Sequence, residues 1–356
     1  MYVLFRVDSS SEIGLGHMMR CLALAEQLVL KGAQVFFVCC SHAGSAHHLV
    51  IDNGYKAFIL PGKEIATKTI IHKSWILYSE EQDANYVLSI IKELNIDVVV
   101  VDHYSLSASW ERMISPFTKK LVVIDDLANR RHDCDILIDQ SMVNDKEDYK
   151  SLVLREFDFI GGDNVILRSE FMHAKSWDVE RKGSVCISMG GSDPFYITGS
   201  VLNIVCNFFE KNQVDKGVKV IIGSACDDDL ESALYGIAYS TSVHVNILRS
   251  PSRISDILLE SEFSILSCGT MVLESCSLGV PTIGISIVDD QISTAKYLAK
   301  RKAILHLEAG DIEMFLNKFL EILISCENKR ASLSANALST VDRFGSVNIA
   351  RKVLSY

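Results

Sequence analysis

A histidine stands directly after a glycine-rich loop near the amino end of the chain, in RVDSSSEIGLGHMMRCLALAEQL (6–28). Gly14 and Gly16 precede His17, and apolar residues at helical spacing follow it. Such a loop lets a ligand approach the backbone at a helix start, where the helix dipole favours anions. The same dipole favours the neutral imidazole, which can act as a base. His17 is therefore a candidate general base, with capping of the turn as the alternative.

Polar residues also follow the ends of two buried strands. Asp8 ends the apolar run YVLFRV (2–7), and it can orient His17 or contact a ligand; capping of the loop is the alternative. The segment VVVVDHYSL (98–106) brings three polar residues together at a strand end: Asp102, His103 and Tyr104. Each alone is more often a satisfied polar residue than a catalyst, but three at one strand end favour a functional site.

Asp125 and Asp126 form an adjacent carboxylate pair after the next strand, in IDDLANRRHDCDILIDQ (124–140). Adjacent residues on a strand point to opposite faces, so a catalytic proton shared by the pair is not expected. The sequence favours a role for the pair in anchoring the loop.

The second half of the chain contains a possible anion site in ISMGGSDPFYITGSVL (187–202). Gly190 and Gly191 end a strand, and Ser192 or Asp193 can cap the helix that follows. Proline suits the first helical turn, which Pro194 would occupy. The pattern predicts an anion-binding turn, with a simple tight turn as the alternative.

A further helix start lies in SCGTMVLESCSLGVPTIGISIVDDQ (267–291). Gly269 and Thr270 precede this helix, whose amino end can bind phosphate. Glu274 lies four residues after Thr270 and could accept hydrogen bonds from the two hydroxyls of a ribose. A lone glutamate on a helix would otherwise be a solvated residue. The series of Gly, Thr, Glu, Gly and Pro favours the nucleotide interpretation.

The elements that carry these motifs alternate between strand and helix in both halves of the chain. Runs that are apolar throughout are typical of parallel strands covered on both faces, so we predict an α/β fold with two doubly wound Rossmann-like domains. We expect domains at 1–158 and 159–340, a linker within 159–183, and a carboxyl-terminal segment at 341–356 that includes the helical SVNIARKVL. In such folds a ligand cleft lies at the carboxyl ends of the strands.

Composition limits the classes of function. The chain has 356 residues, a net charge of −10 and no apolar run of membrane-spanning length, so neither nucleic acid nor a membrane is an expected partner. Its ten cysteines contain no CxxC pair, which indicates reduced core residues in a cytoplasmic protein and no metal site. No coiled-coil heptad is present, and we expect a monomer.

Taken together and in this order, the motifs resemble the nucleotide-sugar hydrolases of pseudaminic acid biosynthesis, over roughly residues 3–300. The residues that carry the resemblance are RVDSSSEIGLGHMMRCLALA, VVDHYSL, VIDDLANRRHDCDILID, LRSEF, SMGGSDP and GTMVLESCSLGVPTIGI. The last motif is shared more widely with GT-B glycosyltransferases. The resemblance implies a GT-B fold and hydrolysis of UDP-2,4-diacetamido-2,4,6-trideoxy-β-L-altropyranose to UDP and the free sugar. It also implies inversion at the anomeric carbon and no cofactor or metal.

The resemblance assigns roles to individual residues. His17 matches the catalytic histidine, Tyr104 the active-site tyrosine and Glu274 the ribose-binding glutamate. Gly191, Ser192 and Thr270 match the phosphate-binding turns, and the backbone of Leu248 matches a position that reads uracil. Further candidate substrate-binding residues are Gly14, Gly16, Arg20, Asp102, His103, Gly190, Gly269, Asp290 and Gln291.

One departure from the family pattern concerns Asp290, which precedes Gln291 where the family has Asn-Gln. An aspartate adds a negative charge near a diphosphate. Two other functions stay open from the sequence. A GT-B glycosyltransferase would need an acceptor to form product, and a non-catalytic UDP-sugar binding protein would bind tightly with little turnover.

Overall fold

The computed structural model describes residues 1–10, 13–60, 75–162, 164–174, 183–191 and 193–355. The chain forms two compact units. Unit 1 comprises Met1–Arg168 and Phe344–Tyr356, and unit 2 comprises Ser169–Arg343.

Unit 1 is built on a parallel sheet of seven strands in the order β3-β2-β1-β4-β5-β6-β7. The strands are β1 Tyr2–Val7, β2 Gln34–Cys40, β3 Lys56–Leu60, β4 Val98–Asp102, β5 Lys120–Ile124, β6 Ile136–Ile138 and β7 Asp158–Ile160. The helices are α1 Gly16–Leu30, α2 His48–Asp52, α3 Glu80–Leu94, α4 Ala108–Ile114 and α5 Lys146–Tyr149, with a 3₁₀ turn at Ser115–Phe117. The central strands β1 and β4 are buried except for Tyr2 at the start of β1, because helices cover both faces.

The order of the strands places the polar strand ends side by side. β1 lies between β2 and β4, and the register pairs Val7 with Asp102. Asp8, the residue after β1, therefore lies next to the carboxyl end of β4. This is the edge at which open α/β sheets bind ligands.

Unit 2 repeats the pattern with a parallel sheet of six strands in the order β10-β9-β8-β11-β12-β13. The strands are β8 Ser184–Ser188, β9 Gly217–Ile222, β10 Val245–Arg249, β11 Ser261–Ser267, β12 Thr282–Ser286 and β13 Leu305–Glu308. The helices are α6 Ser169–His173, α7 Ile197–Lys211, α8 Asp228–Ser240, α9 Ile254–Glu260, α10 Thr270–Ser277, α11 Asp289–Lys300, α12 Ile312–Ser325 and α13 Glu327–Thr340, with a 3₁₀ turn at Ala309–Asp311. One apolar core joins this sheet to its helices.

The last helix, α14 Gly345–Leu354, belongs to unit 1. Its residues Ile349 and Val353 share the apolar core of α1 and β1. Gly345 is required at the start of this helix, because a Cβ there would lie 2.4 Å from the Val165 carbonyl oxygen.

The segment between the units differs from the predicted linker at 159–183. Its first residues form β7, which pairs with β6, and unit 1 continues to Arg168. A strand of three residues is too short to show periodicity, which explains the difference. In the part of the chain that the structure describes, no helix is long and apolar enough to cross a membrane.

Candidate active site

His17 is the second residue of α1, at the carboxyl edge of the unit 1 sheet. The loop before it needs glycine at one position, since Gly14 has a φ of 79°, a region that favours glycine. A Cβ on Gly14 or Gly16 would meet no described atom within 4 Å, so there is open space in front of the helix. Leu15 precedes the helix and supplies no side-chain cap.

Asp102 holds the His17 ring. The Nδ1 atom of His17 lies 2.6 Å from Oδ1 of Asp102. The His17 side chain is 11% exposed and that of Asp102 is fully buried. Because an ionised carboxylate only accepts hydrogen bonds, Nδ1 carries the proton and Nε2 keeps its lone pair. This is the tautomer that a general base requires.

The Asp102 carboxylate is held ionised by its neighbours. Burial alone raises its pKa, but the charge of Arg20 and contact with His17 outweigh burial and hold the pKa well below the usual value. Arg20 donates from Nε and Nη2 to the two Asp102 oxygens at 2.6 and 2.7 Å. A negative charge beside the ring stabilises the imidazolium that forms when His17 accepts a proton.

Arg20 links Asp102 to a second carboxylate. Its Nη1 donates to Asp126, and its side chain is only 5% exposed. The guanidinium is thus committed to two carboxylates, which makes Arg20 a positioning residue in this structure. The predicted contact of Arg20 with substrate has no geometric support here.

Tyr104 and Trp75 pack against the His17 ring. The Tyr104 ring is edge-on to His17, with centroids 4.6 Å apart, and its hydroxyl donates to Asp126 at 3.0 Å. Burial and the Asp126 charge raise the pKa of Tyr104, so the phenol stays protonated. Trp75 stacks on Tyr104 at 5.5 Å and lies edge-on to His17 at 5.6 Å. The His17 ring therefore lies against two aromatic side chains.

Asp8 has a different role from the predicted orientation of His17, which Asp102 performs. The Asp8 carboxylate accepts from Arg6 at 2.6 Å, from the backbone N–H of Cys40 at 2.7 Å and from Nε2 of His103 at 3.0 Å. Burial raises the pKa of Asp8, but the Arg6 charge and the hydrogen bonds from His103 and His42 together outweigh burial and hold the pKa well below its usual value. Asp8 is thus a buried anion that ties β1 to β2 and β4.

His103 uses both ring nitrogens inside the protein. Nε2 donates to Asp8, and Nδ1 accepts from the backbone N–H of Ser105 at 3.2 Å. Burial lowers the pKa of His103, so the ring is neutral. His103 therefore supports the strand end, and the predicted substrate contact is not apparent in this geometry.

A cluster of Asp8, Cys40 and His42 has ligand atoms within 4.8 Å of one another, as a metal site would. The Arg6 guanidinium already lies in it, 2.6 Å from Asp8 and 3.3 Å from the Cys40 sulfur. Burial also raises the pKa of the Cys40 thiol to about 12, so the thiolate ligand is disfavoured. The fixed cation makes these residues unsuited to a metal ion.

The predicted anchoring of the loop by the Asp125–Asp126 pair is right for only one of the two. Asp125 accepts from Arg130 and from the backbone N–H of Ala128 at 3.0 Å, which fixes the loop. Asp126 points instead toward Arg20 and Tyr104. Adjacent residues do face opposite sides, and the side of Asp126 is that of His17.

In unit 2, the turn after β8 differs from the predicted anion site. α7 begins at Ile197, not at Pro194, because Tyr196 adopts a left-handed φ of 55°. The Asp193 carboxylate accepts from the N–H groups of Ile197 and Thr198 at 3.0 and 2.8 Å. A protein carboxylate thus occupies donors that an anion would need. Ser192 lies outside the described residues.

Glycine is needed at one position of this turn, Gly190, and at Gly223, which faces the turn. Gly190 has a φ of 98°, which favours glycine. Gly191 lies so close to the end of β9 that a Cβ on Gly223 would approach its carbonyl oxygen to 2.3 Å. The turn is therefore compact, and any ligand contact would be with backbone.

The amino end of α10 is better suited to an anion. Thr270 is its first residue, and Gly269 precedes it without a side-chain cap. The Nε2 atom of Gln291 points to this end, 3.9 Å from where a Cβ on Gly269 would lie, and its Oε1 accepts from the Ile287 N–H at 2.9 Å. An amide donor and a helix amino end thus converge in unit 2.

The three remaining predicted substrate contacts, Glu274, Asp290 and Leu248, lie in different surroundings. Glu274 is in α10 and only 2% exposed, whereas Asp290 is exposed in the first turn of α11. Leu248 lies inside β10, paired with Ile221. The His244 carbonyl accepts from the Val218 N–H, and the Ser250 N–H donates to the Ile222 carbonyl. Because alternate residues of an edge strand direct their backbone groups toward the neighbouring strand, the Leu248 N–H and C=O also face β9. Its backbone is thus used by the sheet, which opposes a role in reading a base.

Sequence reasoning missed Asp126 and Trp75 as members of the site. For Asp126 a signal existed, because one residue of an adjacent pair must face the same side as the other strand ends. Trp75 has no such signal, since it lies outside any periodic segment. With both included, the site is a histidine whose Nε2 keeps its lone pair, with the buried Asp102 carboxylate behind its ring.

Comparison with known proteins identifies a relative by sequence and similar folds among solved structures. No protein-family model matches the chain. It is 27% identical over 304 residues to the UDP-2,4-diacetamido-2,4,6-trideoxy-beta-L-altropyranose hydrolase of Campylobacter jejuni, covering 85% of this chain and 97% of that protein. The sequence resemblance is thereby confirmed.

Solved structures share the fold. Acinetobacter baumannii MurG is 14% identical with a TM-score of 0.65, and 99% of each chain is covered. The spinosyn rhamnosyltransferase SpnG, complexed with thymidine diphosphate, is 13% identical with a TM-score of 0.67 and full coverage of both chains. The chain has the GT-B fold of two Rossmann-like domains, as predicted.

Proposed function

We propose that this chain hydrolyses a UDP-sugar, releasing UDP and the free sugar with inversion at the anomeric carbon. The observation that carries the proposal is the pairing of His17 Nδ1 with the buried Asp102 carboxylate at 2.6 Å. It leaves Nε2 as a base with a fixed anion behind it. The similarity to the Campylobacter hydrolase supports the same reaction class.

In the proposed reaction, His17 Nε2 takes a proton from water as the water oxygen bonds to the anomeric carbon. The bond from that carbon to the phosphate oxygen breaks, and its electron pair leaves with UDP. The imidazolium is stabilised by Asp102, whose charge is in place before the reaction starts. A base of this kind contributes about 10²–10⁴-fold to the rate.

UDP is a good leaving group, so the proposal needs stabilisation of the diphosphate more than a strong general acid. We assign that task to unit 2, with the amino end of α10 at Thr270 and the Gln291 amide as donors. Gly190, Gly191 and Glu274 are the other proposed nucleotide contacts. Glu274 is buried, so a ribose contact would require it to become accessible.

The finer identity of the substrate is also part of the proposal. We propose UDP-2,4-diacetamido-2,4,6-trideoxy-β-L-altropyranose, the sugar named for the Campylobacter relative, and hence a place in pseudaminic acid biosynthesis. All ten cysteines are unpaired, which fits a reducing cytoplasm. As the resemblance implies, we expect no metal requirement, so activity should survive treatment with EDTA.

Incubation of the protein with this UDP-sugar, followed by proton NMR, tests the proposal. Free sugar and UDP should form without any added acceptor, and the first anomer released should have the opposite configuration to the substrate. Product that forms only when an acceptor is added would favour a glycosyltransferase. Tight binding without turnover of this and stereoisomeric UDP-sugars would favour a binding protein.

A further inference from the structure

Asp126 closes a ring of contacts around the proposed base. Arg20 donates to both Asp102 and Asp126, and the Tyr104 hydroxyl donates to Asp126 at 3.0 Å. The Tyr104 ring then returns to His17, edge-on at 4.6 Å with an interplanar angle of 85°. From His17 the contacts run through Asp102, Arg20, Asp126 and Tyr104, and back to His17.

We infer that Asp126 is a positioning residue for the His17 base, and that its negative charge sets the pH range over which the base works. It acts through Arg20 and Tyr104 and does not touch the reacting atoms. The inference rests on the proposed function, since it assigns a role within the same reaction.

The surroundings of Asp126 fit an ionised carboxylate. Its Oδ2 accepts from Arg20 and Tyr104, and its Oδ1 accepts from the backbone N–H of Gln140 at 3.0 Å. All three partners are donors, which a carboxylate anion satisfies better than a protonated acid. The side chain is 15% exposed, so its charge is only partly screened by water.

The charge balance explains why Asp126 matters for the base. Arg20 carries one positive charge, and Asp102 and Asp126 carry one negative charge each. The set is therefore net negative before proton transfer and neutral once His17 is an imidazolium. Without the Asp126 charge, the same set would be neutral before and positive after, which disfavours the imidazolium and weakens the base.

The other ionisable groups around the ring do not remove this effect. Among the described residues, Tyr104 and Cys21 have pKa values raised by burial, and His103 has a pKa lowered by burial, so all three are neutral near pH 7. Other charges near the ring belong to separate clusters, in which Asp8 and Asp83 share the Arg6 guanidinium and Asp125 contacts Arg130 and His132. Asp139 titrates in the relevant range, because burial and then the Asp126 charge raise its pKa to about 6. The test therefore needs an Asp139→Asn background.

The test compares Asp126→Asn with Asp133→Asn by measuring kcat and KM for the UDP-sugar from pH 4.5 to 9. Asp133 is a matched control, since it is paired with Arg112 and Arg155 and is 17% exposed, close to the 15% of Asp126. In Asp126→Asn, kcat should fall roughly tenfold with KM within about twofold. The acid-side midpoint should move to lower pH by roughly half a unit or more, also in the Asp139→Asn background. Asp133→Asn should retain the wild-type profile.

Two further variants separate charge from position. Tyr104→Phe removes a donor without changing charge, so kcat should fall while the acid-side midpoint stays. Asp126→Glu keeps the negative charge but moves it, so kcat should again fall while the acid-side midpoint stays. If Asp126→Asn fails to fold, Asp126→Glu carries the test, and a shifted acid-side midpoint in that variant would overturn the inference.

An NMR titration without substrate distinguishes failure of the proposed function from failure of the role inferred for Asp126. The ¹⁵N shifts of the His17 imidazole, followed against pH, should titrate at lower pH in Asp126→Asn than in wild type or Asp133→Asn. Absence of any His17-dependent hydrolysis by wild type would overturn the proposed function, while the NMR titration would still report on Asp126. Normal hydrolysis, with Asp126→Asn matching Asp133→Asn in both titrations, would overturn this inference alone.

Discussion

The Nδ1 atom of His17 lies 2.6 Å from Oδ1 of Asp102, although 85 positions separate the two residues in the sequence. The contact exists because α1 follows β1, and β4 is hydrogen-bonded to β1 in the sheet. It joins a partly exposed imidazole to a fully buried carboxylate. The proposed chemistry of the protein depends on this pair.

Replacement of Asp102 by Asn should therefore abolish most activity. The amide cannot maintain the same charge behind His17, and Arg20 loses a partner, so kcat should fall by about two to four orders of magnitude. KM should change little, because the Asp102 side chain is fully buried behind His17. Steady-state kinetics on folded protein measures both quantities.

The same substitution breaks a buried ion pair, which costs about 3–5 kcal/mol in unfolding free energy. Circular dichroism at the assay temperature must therefore show a native spectrum. A folded Asp102→Asn variant with kcat near that of wild type would contradict the role of Asp102.

The strand ends that carry the site could be predicted, whereas their pairing could not. Asp102 and Tyr104 follow the apolar run VVVV (98–101), and Asp8 follows a run interrupted only by Arg6. Parallel strands place their carboxyl ends at one edge. Which carboxylate holds His17 depends on distances across the sheet that no local pattern encodes. Asp8 was a candidate for holding His17, but its carboxylate instead accepts a hydrogen bond from Arg6.

Four strands were not predicted from the sequence: β3, β6, β7 and β13. β3 and β13 lie at the edges of their sheets, where several residues are only half-buried. β6 and β7 have three residues each, which is too short to show periodicity. The packing that stacks Trp75 on Tyr104 likewise comes from tertiary structure alone.

Asp139 should make stability depend on pH. Burial, followed by the charge of Asp126, raises its pKa to about 6, so the folded protein binds this proton more tightly than the unfolded chain does. Its contribution is complete below the usual aspartate pKa and is lost as pH rises through about 6. The unfolding free energy of wild type, relative to Asp139→Asn, should decrease from about pH 4 to 6.5.

Urea unfolding at several pH values measures this difference. The carboxylates with lowered pKa, such as Asp102 and Asp125, lose their contribution only as pH falls below about 4, outside this window. Parallel curves for wild type and Asp139→Asn across pH 4–6.5 would show that Asp139 has no raised pKa.

Gln291→Glu should weaken UDP binding. Glutamate keeps an oxygen to accept from the Ile287 N–H but replaces the Nε2 donor at the amino end of α10 with negative charge. We expect the Kd of UDP to rise roughly tenfold, with the larger effect at low salt. Isothermal titration calorimetry measures the change.

Asp290→Asn is the opposing variant, since it removes an exposed negative charge one residue earlier. UDP should bind it as tightly as wild type or a few-fold more tightly. Equal Kd values for wild type and Gln291→Glu would exclude Gln291 from the diphosphate site.

Gly284→Ala should destabilise unit 2 through a clash with Cys268. A Cβ at Gly284 would lie 2.7 Å from the Cys268 sulfur and 2.8 Å from Cδ1 of Ile304, and both side chains are buried. Overpacking of this kind costs about 1–3 kcal/mol. Cys268→Ala vacates the space, so the double variant should recover part of the loss in urea unfolding. If the losses of unfolding free energy in Gly284→Ala and Cys268→Ala simply add in the double variant, the clash with Cys268 does not cause the destabilisation.

The central claim is that His17 is the base for hydrolysis of a UDP-sugar, and His17→Asn tests it most directly. Proton NMR should follow the UDP-sugar with wild type and variant at equal concentration, with UDP affinity measured in parallel. We predict release of UDP and inverted free sugar by wild type, a loss of kcat by about two to four orders of magnitude in the variant, and unchanged UDP affinity. Near-normal release of free sugar by His17→Asn would contradict the account.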